Sequence, residues 1–312
     1  MSQDSMTSIL NIEKPIVQAP MNWLTDAHLV TSVSNAGGLG VLGPNAGQNG
    51  TFSPEITKEN IRNEIRKTRA LTDKPFGLNL LLPIDNPFSQ ATLEVGLEEK
   101  VAAFVTVGDA DRVLFDRIKE SGAKVIHRPL TPTIQNMQEA EDFGADILVA
   151  TGFDEGGVLP QQAYGTFTIL PNMVDAVSVP VLAAGGINDA RGVQAALSLG
   201  ASGVYLGTRF LVTQESPMST AAKEVIIASS YEDLVFVSER QRSLKTDFAL
   251  KEANRYQAGN RNTDQEIAQA GGLRPAMLNG DIPNGIISVN TGIDMIKDIP
   301  NVATLIHNLF EK

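Results

Sequence analysis

Eight short apolar runs recur along the first two thirds of the chain, and each leads through a turn signal into a stretch with helical periodicity. This alternation predicts βα units, whose strands pair in parallel. Eight units favour an α/β fold in which the sheet closes into a TIM (β/α)8 barrel; an open, doubly wound sheet is the alternative. The predicted strands are residues 16–18, 39–42, 76–80, 104–107, 124–127, 147–150, 181–183 and 203–206.

Capping residues mark the helices between these runs. Thr25 is predicted to cap the first helix and Ser53 the second, with Pro54 in the first turn, where proline is tolerated. Later helices are predicted at 109–121, 133–143 and 189–199. Each of these is followed by a glycine, the residue that most readily adopts the left-handed conformation beyond a helix end.

The pattern changes after the eighth run. Residues 238–281 are more polar, carry several lysines and arginines and show no strand periodicity, so we predict a smaller helical cap there. Residues 302–310 have apolar residues at helical spacing and are predicted to fold back against the barrel. We therefore divide the chain into a barrel (1–237), a helical cap or lid (238–281) and a C-terminal helix that returns to the barrel (282–312).

Composition excludes several classes of function. A net charge of −11 and a pI near 4.8 oppose a broad surface for nucleic acid or anionic membranes. The chain has no cysteine, which excludes disulfides, thiolate nucleophiles, iron–sulfur clusters and cysteine-ligated zinc. Redox chemistry would then need an organic cofactor or another metal, and no metal site is predicted. The first residues do not resemble a signal peptide and no long apolar run occurs, so we expect a cytoplasmic protein.

Two glycine-rich segments, 184–186 and 207–208, end the seventh and eighth runs. In a parallel barrel, backbone N–H groups after these two strands commonly hold a phosphate. Either segment alone is typical of a tight turn, but together they favour a phosphate site. FMN would place its phosphate on these segments and its flat ring over Ala19 and Pro20. A sugar phosphate would use the same anion site but would need more charged groups nearby.

Polar residues also end or follow other strands, where the active site of a TIM barrel is built. Among them, His127 is favoured as a proton-transfer group because the ordinary pKa of histidine lies near neutrality. The candidates are Asn79, His127, Asp154 and Glu155. The adjacent carboxylates Asp154 and Glu155 are also typical of a solvated loop.

Five short segments occur in order and in register: residues 15–21, 33–40, 124–127, 184–187 and 207–211. Together they resemble the nitronate monooxygenase family, formerly called 2-nitropropane dioxygenases. Its superfamily includes enoyl-acyl-carrier-protein reductase II and NAD(P)H:quinone reductases. The resemblance implies an FMN-binding TIM barrel with a smaller helical domain. By this resemblance the residues that border or hold the flavin are Ala19, Pro20, Met21, Asn79, Lys124, Ala184, Gly185, Gly186, Gly207 and Thr208.

One position departs from the family pattern. After the sixth strand the family usually has a histidine, to which proton abstraction from nitroalkanes is attributed, and this chain has Val158. Loss of a general base costs roughly 10²–10⁴-fold in rate. An anionic nitronate, however, is already deprotonated and needs no base. If a base is required, His127, Asp154 or Glu155 must replace the imidazole, and His127 is preferred.

The resemblance therefore implies an enzyme, an FMN-dependent oxidoreductase that oxidises alkyl nitronates with O2. An NAD(P)H-dependent quinone or enoyl-thioester reductase is the first alternative, with NADH or NADPH as reductant. A flavin-binding module with decayed catalysis is the second. The expected partners are a small-molecule substrate, O2 or a quinone or enoyl acceptor, and a second copy of the chain, without nucleic acid or membrane.

Overall fold

The computed structural model describes residues 5–47 and 53–311 of the chain. Eight of its strands form one parallel sheet: β1 (Ile16–Gln18), β2 (Gly40–Leu42), β3 (Phe76–Leu81), β4 (Ala103–Val107), β5 (Lys124–Arg128), β6 (Ile147–Thr151), β7 (Val181–Ala184) and β8 (Gly203–Leu206). Each coincides with a predicted run to within two residues. The rhythm of apolar runs therefore located all eight strands.

The sheet closes on itself. Its strand order is β1-β8-β7-β6-β5-β4-β3-β2, and a parallel bridge between Val17 and Leu39 joins the two ends of this order. The Leu39 N–H donates to the Ile16 carbonyl and the Gln18 N–H to the Leu39 carbonyl, both at 2.9 Å. The prediction of a TIM barrel is confirmed. The doubly wound alternative is wrong, because these bonds pair the strands that an open sheet would leave at its edges.

Helices follow the strands and cover the barrel. They are α1 (Met6–Leu10), α2 (Ala27–Asn35), α3 (Pro54–Leu71), α4 (Pro87–Glu98), α5 (Arg112–Glu120), α6 (Ile134–Asp142), α7 (Thr166–Ala176), α8 (Ala190–Ser198), α9 (Thr208–Leu211) and α10 (Thr220–Ala228). Of these, α2, α3, α5, α6 and α8 lie near predicted positions. Ser53 caps α3 as predicted, with its side chain accepting from the Ile56 N–H. The predicted cap at Thr25 is wrong by one residue.

Asp26 caps α2 instead, because its carboxylate accepts a hydrogen bond from the Leu29 N–H at 3.0 Å. The hydroxyl of Thr25 is buried and donates to the Met21 carbonyl at 3.0 Å. Both residue types can cap a helix, so the local sequence did not decide between them. The fold of the β1–α2 loop did.

The apolar core has two layers, because successive side chains of a strand point to opposite faces. One layer fills the barrel and includes Ile126 of β5. The other lies between the strands and the helices and includes Val125 of β5 and Phe115 of α5. The same alternation decides which polar residues at the strand ends reach the inside of the barrel.

The chain after α10 forms β9 (Leu234–Phe236), β10 (Arg242–Leu244), α11 (Asp247–Gln257), α12 (Thr263–Gln269) and α13 (Val302–Phe310). β9 and β10 pair as an antiparallel hairpin, so the expectation of no strand within 238–281 is wrong. Apolar residues of α13, such as Val302 and Leu309, belong to the layer that packs against the barrel. The domain boundaries remain a prediction. No helix within the described residues is long and apolar enough to cross a membrane.

Candidate active site

A cavity of about 590 Å³ opens at the C-terminal ends of the barrel strands. This volume is within the range of small-molecule sites. Loops after the strands form one side of it, and parts of the chain beyond residue 238 form the other. Its lining includes Ala19, Pro20, Met21, Asn79, Arg128, Thr151, Glu155, Val158, Ala184, Gly185, Gly186, Tyr205, Gly207, Thr208, Leu273, Met277, Ser288 and Asn290.

The end of β7 requires glycine for two separate reasons. Gly185 and Gly186 have φ angles of +102° and +71°, which residues with a side chain rarely adopt. A Cβ on Gly185 would also lie 2.8 Å from Oγ1 of Thr166, which donates to the Ala184 carbonyl at 2.9 Å. The backbone of this segment therefore lies directly on the cavity wall, without side chains in front of it.

The end of β8 has glycine for a different reason. The φ of Gly207 is −106°, a value open to any residue, so its backbone does not demand glycine. A Cβ there would meet Met21 Sδ at 3.4 Å and Ala19 Cβ at 3.7 Å. Both neighbours line the cavity. The missing side chain thus keeps open the space between the ends of β1 and β8.

A later segment of the chain, which contains Asn290, is hydrogen-bonded to residues that follow β7 and β8. The Asn290 N–H donates to Thr208 Oγ1 at 3.1 Å, and the side-chain amides of Asn188 and Asn290 exchange two hydrogen bonds of 2.9 Å. Asn188 follows β7, whereas Thr208 follows β8. Asn290 and Ser288 therefore add polar groups to the wall that carries the glycines.

The wall at β1 is nearly uncharged. Gln18 is fully buried; its amide oxygen joins β1 to β2 by accepting from the Val41 N–H, and its amide nitrogen donates to the Ala19 carbonyl. Ala19, Pro20 and Met21, the residues expected to border the flavin ring, line the cavity. On the next strands, Asn79 also lines the cavity and donates to the Val105 carbonyl at 2.9 Å.

An ion pair lies where β5 and β6 end. Nη2 of Arg128 is 2.5 and 2.6 Å from the two carboxylate oxygens of Glu155, and Nε of Arg128 donates to Thr151 Oγ1 at 3.1 Å. Both charged side chains are largely buried. Burial raises the pKa of Glu155 to about 7, against the opposing effects of Arg128 and Arg242. Glu155 can therefore exchange a proton near neutrality while it lines the cavity.

Asp154 faces away from this pair and does not line the cavity. Its carboxylate accepts from the Thr166 N–H at 2.6 Å and lies 3.3 Å from Thr291 Oγ1. Its carbonyl accepts from the Thr291 N–H at 3.0 Å. These bonds join the loop after β6 to α7 and to the segment that carries Asn290. Of the two candidate carboxylates, Asp154 therefore holds the loop in place, and only Glu155 lines the cavity.

The structure does not bring His127 to the cavity. It lies on β5 one residue after Ile126, so its ring points out of the barrel, toward α5. Nδ1 is 2.9 Å from Thr106 Oγ1, and the ring lies 5.3 Å from that of Phe115. Desolvation lowers its pKa to about 4. The preference for His127 as the base is therefore corrected: its ring is buried, neutral at pH 7 and on the wrong face of the strand.

Lys124 is also distant from the cavity, because it is the first residue of β5 and the cavity opens at the strand's last residue. Four residues of strand span about 13 Å. The predicted contact between Lys124 and the flavin is therefore not supported by its position. Val158, at the position where the resemblance implies a histidine, does line the cavity and is 43% exposed.

Sequence reasoning missed Arg128, Ser288 and Asn290. Arg128 could have been found, because strand alternation from the apolar residue Ile126 points residue 128 into the barrel. Ser288 and Asn290 lie more than 80 residues beyond the end of β8 in the sequence, and no local signal marks them. Within the described part of the chain, no group of three or more histidine and acidic side chains could hold a metal ion.

The similarity to known proteins extends over nearly the whole chain. The family model described as nitronate monooxygenase matches residues 3–312. A probable nitronate monooxygenase of Staphylococcus haemolyticus is 32% identical over 292 residues, covering 78% of this chain and 79% of the relative. The structure of FabK from Thermotoga maritima superposes with a TM-score of 0.86 at 32% identity, covering 98% of this chain and 94% of FabK.

A third relative has a different named activity. It is a (3aS,4S,5R,7aS)-5-hydroxy-7a-methyl-1-oxo-octahydro-1H-indene-4-carboxyl-CoA dehydrogenase of Rhodococcus jostii, 34% identical over 229 residues. The match covers 73% of this chain and 61% of that relative, so the chain spans about three fifths of its length. The extent of the family match, together with the fold and the cavity, shows that this chain belongs to the nitronate monooxygenase family and is a flavin-dependent oxidoreductase.

Proposed function

We propose that the chain binds FMN in the cavity at the barrel mouth and oxidises alkyl nitronates with O2. The observation that carries the cofactor assignment is the glycine wall at β7 and β8. Its exposed backbone lies beside Thr208 and Asn290, which suits one phosphate group. The uncharged wall of Ala19 and Pro20 suits the flat ring.

FMN, when bound, would supply the redox chemistry, and the chain's own residues bind and orient the reactants. Arg128 is paired with Glu155, so this wall carries a net positive charge when Glu155 is protonated, which favours an anionic substrate. Apolar side chains such as Leu273 and Met277 form the outer wall and exclude water. Val158 offers no proton-transfer group where the family has histidine. These features favour a nitronate, which is already deprotonated, over a neutral nitroalkane.

The test is anaerobic stopped-flow reduction of the FMN-loaded protein. Propane-2-nitronate is expected to bleach the flavin. Neutral 2-nitropropane is expected to do so at least about 10²-fold more slowly, because Val158 supplies no imidazole and Arg128 holds the Glu155 carboxylate in an ion pair. Protein that stays colourless after incubation with FMN would refute the flavin assignment. Equal rates with the two substrates would refute the preference for the anion.

A second candidate is an NAD(P)H-dependent reductase of enoyl thioesters or quinones. It is favoured by the similarity to FabK and to the CoA-thioester dehydrogenase. It is also favoured by the apolar outer wall, where Ile267, Leu273 and Met277 could contact an acyl chain. Flavin bleaching by NADH or NADPH, but not by the nitronate, would establish this candidate and exclude the first.

A further inference from the structure

A second cavity, also of about 590 Å³, lies beside the β9–β10 hairpin. Three aromatic rings line it, from Phe153 in the loop after β6, Phe236 in β9 and Tyr256 in α11. Gln161, Gln257 and Glu239 add amide and carboxylate groups to its lining. Flat aromatic faces combined with such hydrogen-bonding groups are the chemistry that recognises a nucleic-acid base.

Arg240 lines both this second cavity and the proposed FMN cavity. Its backbone is held at the junction, because its N–H donates to Ser238 Oγ at 3.2 Å and its carbonyl accepts from the Leu159 N–H at 2.9 Å. The two cavities are therefore neighbours that share Arg240 in their linings.

Among residues 5–47 and 53–311, no hydrogen bond or ion pair reaches the guanidinium of Arg240, and its Nε is buried. A buried donor without an acceptor is destabilising, so native proteins rarely leave one unsatisfied without a reason. A phosphate would supply the acceptor and the opposite charge, in the forked geometry that arginine favours.

The Nε of the neighbouring Arg242 is also buried without a hydrogen-bond partner, but the rest of its guanidinium is engaged. It is buried, donates to the Phe153 carbonyl, and lies 5.0 and 5.6 Å from the ring centroids of Phe153 and Phe236. It thus holds the two aromatic rings beside each other, 6.1 Å apart. Arg242 thus supports the aromatic wall of the second cavity from behind, whereas Arg240 is the arginine that lines the cavity.

We propose that the second cavity binds the adenosine-phosphate end of a long substrate, with its phosphates on Arg240 and its base against Phe236 and Tyr256. The reactive end of the same molecule would extend into the FMN cavity, and to this extent the proposal rests on the proposed function. A nicotinamide dinucleotide and a coenzyme A thioester share this chemistry. The site thus predicts a nucleotide-bearing substrate, rather than a small nitronate alone.

The first test is calorimetric titration of the FMN-loaded protein with ADP, which reports binding without turnover. Arg240→Gln is expected to weaken ADP binding roughly tenfold or more, the loss of one charge-assisted contact. Arg117→Gln is the matched control, because Arg117 is exposed on α5 and lines neither cavity. The absence of ADP binding at millimolar concentration, or equal binding by Arg240→Gln and the wild type, would overturn the proposal.

The aromatic wall has its own test. Phe236 is 45% exposed, so Phe236→Ala should fold normally. It is expected to weaken ADP binding about fivefold or more, because base–aromatic stacking is lost. Tyr164→Ala removes another exposed ring that does not line the second cavity, and it should leave ADP affinity unchanged. Equal effects of the two variants would count against base stacking at this site.

Competition then identifies the source of the nucleotide. NADH, NADPH and coenzyme A are each used to displace ADP, and at least one should do so with an affinity that falls in Arg240→Gln. Reduced nicotinamide mononucleotide and pantetheine, which lack adenosine phosphate, should not displace it. Displacement by none of the three would overturn the proposal.

The failure of this site and the failure of the proposed function are distinguishable. A protein that holds FMN and oxidises nitronates but does not bind ADP refutes this site alone. A protein that binds ADP but does not bind FMN refutes the proposed function alone.

Discussion

Nη2 of Arg128 lies 2.5 Å from Oε2 of Glu155, and this buried ion pair joins the ends of β5 and β6 at the wall of the proposed FMN cavity. Arg128 follows directly after His127, and Glu155 directly after Asp154. In each case the adjacent residue that sequence reasoning also considered lies outside the cavity. The pair is therefore the principal buried charge that the structure adds to this wall, and its protonation can be tested.

Glu155 should make stability depend on pH. Its pKa is raised to about 7 in the folded chain, from an ordinary value of 4.5. The folded state thus binds more protons between these values, so the contribution of Glu155 is complete below pH 4.5 and is lost as pH rises through 7. Urea unfolding should show a lower free energy at about pH 8 than at about pH 5.5, and a smaller difference in Glu155→Gln. Identical pH dependence in both proteins would contradict this assignment.

Removal of the positive partner should be costly. Arg128→Met leaves the Glu155 carboxylate buried and unpaired, which is expected to lower the free energy of unfolding by about 3–5 kcal/mol at pH 8. The loss should shrink at low pH, where Glu155 is protonated. Lys58→Met is the control, since the Lys58–Glu94 pair is exposed to solvent and should contribute little to stability. A similar loss in both variants, measured by urea unfolding, would show that burial of the pair is unimportant.

His127 should prove structural. His127→Asn keeps a polar group near Thr106 but removes the ring that packs against Phe115. We expect the free energy of unfolding to fall by about 1–3 kcal/mol, because a buried ring leaves a cavity. Turnover per bound flavin should stay within about twofold, whereas loss of a general base would reduce it about 10²–10⁴-fold. Steady-state assays normalised to flavin absorbance distinguish the two outcomes.

Val158 offers a gain-of-function test. Because it is 43% exposed and lines the cavity, Val158→His should be accommodated without repacking. Oxidation of neutral nitroalkane is expected to rise up to about 10²-fold, with little change for the nitronate, because only the neutral substrate needs a base. Val158→Asn is the matched control for polarity without proton transfer. If both variants accelerate the reaction equally, polarity and not proton abstraction limits it.

Gly207→Ala tests the proposed phosphate-binding wall at β7 and β8 without straining the backbone. Its φ of −106° permits alanine, but the new methyl would enter the cavity beside Met21 and Ala19. Gly207→Ala should weaken FMN binding about tenfold, measured by fluorescence titration, and leave the thermal stability of the flavin-free protein unchanged. Unchanged FMN affinity would place the phosphate elsewhere.

The barrel was predictable because its signals are local. Apolar runs such as 147–150 carry strand periodicity in the residues themselves, and Gly122 and Gly200 end helices by their own conformational freedom. The choice between Thr25 and Asp26 as a cap was not predictable, since both can accept the same bond. Leu39 was correctly included in the second run, and its bridge to Val17 closes the sheet.

The phosphate-binding part of the site was predictable at 184–186 and 207–208, because glycines and the family resemblance both indicate these segments. It was mispredicted at His127 because residue type was weighed without strand alternation, which turns its ring toward α5 and Arg128 into the cavity. Asn290 was not accessible to sequence reasoning, because its bond to Thr208 joins residues 82 positions apart. Arg240 could be recognised as cationic, but not as unpaired.

The sequence by itself determined the eight barrel strands and their order, the glycine turns and the family, because periodicity and backbone freedom are properties of neighbouring residues. Only the tertiary structure decided which charges share a wall and which are left without a partner. Burial then set their chemistry: it raised the pKa of Glu155 to about 7 and lowered that of His127 to about 4. Both shifts arise from desolvation, which depends on everything packed around a group rather than on its own place in the chain.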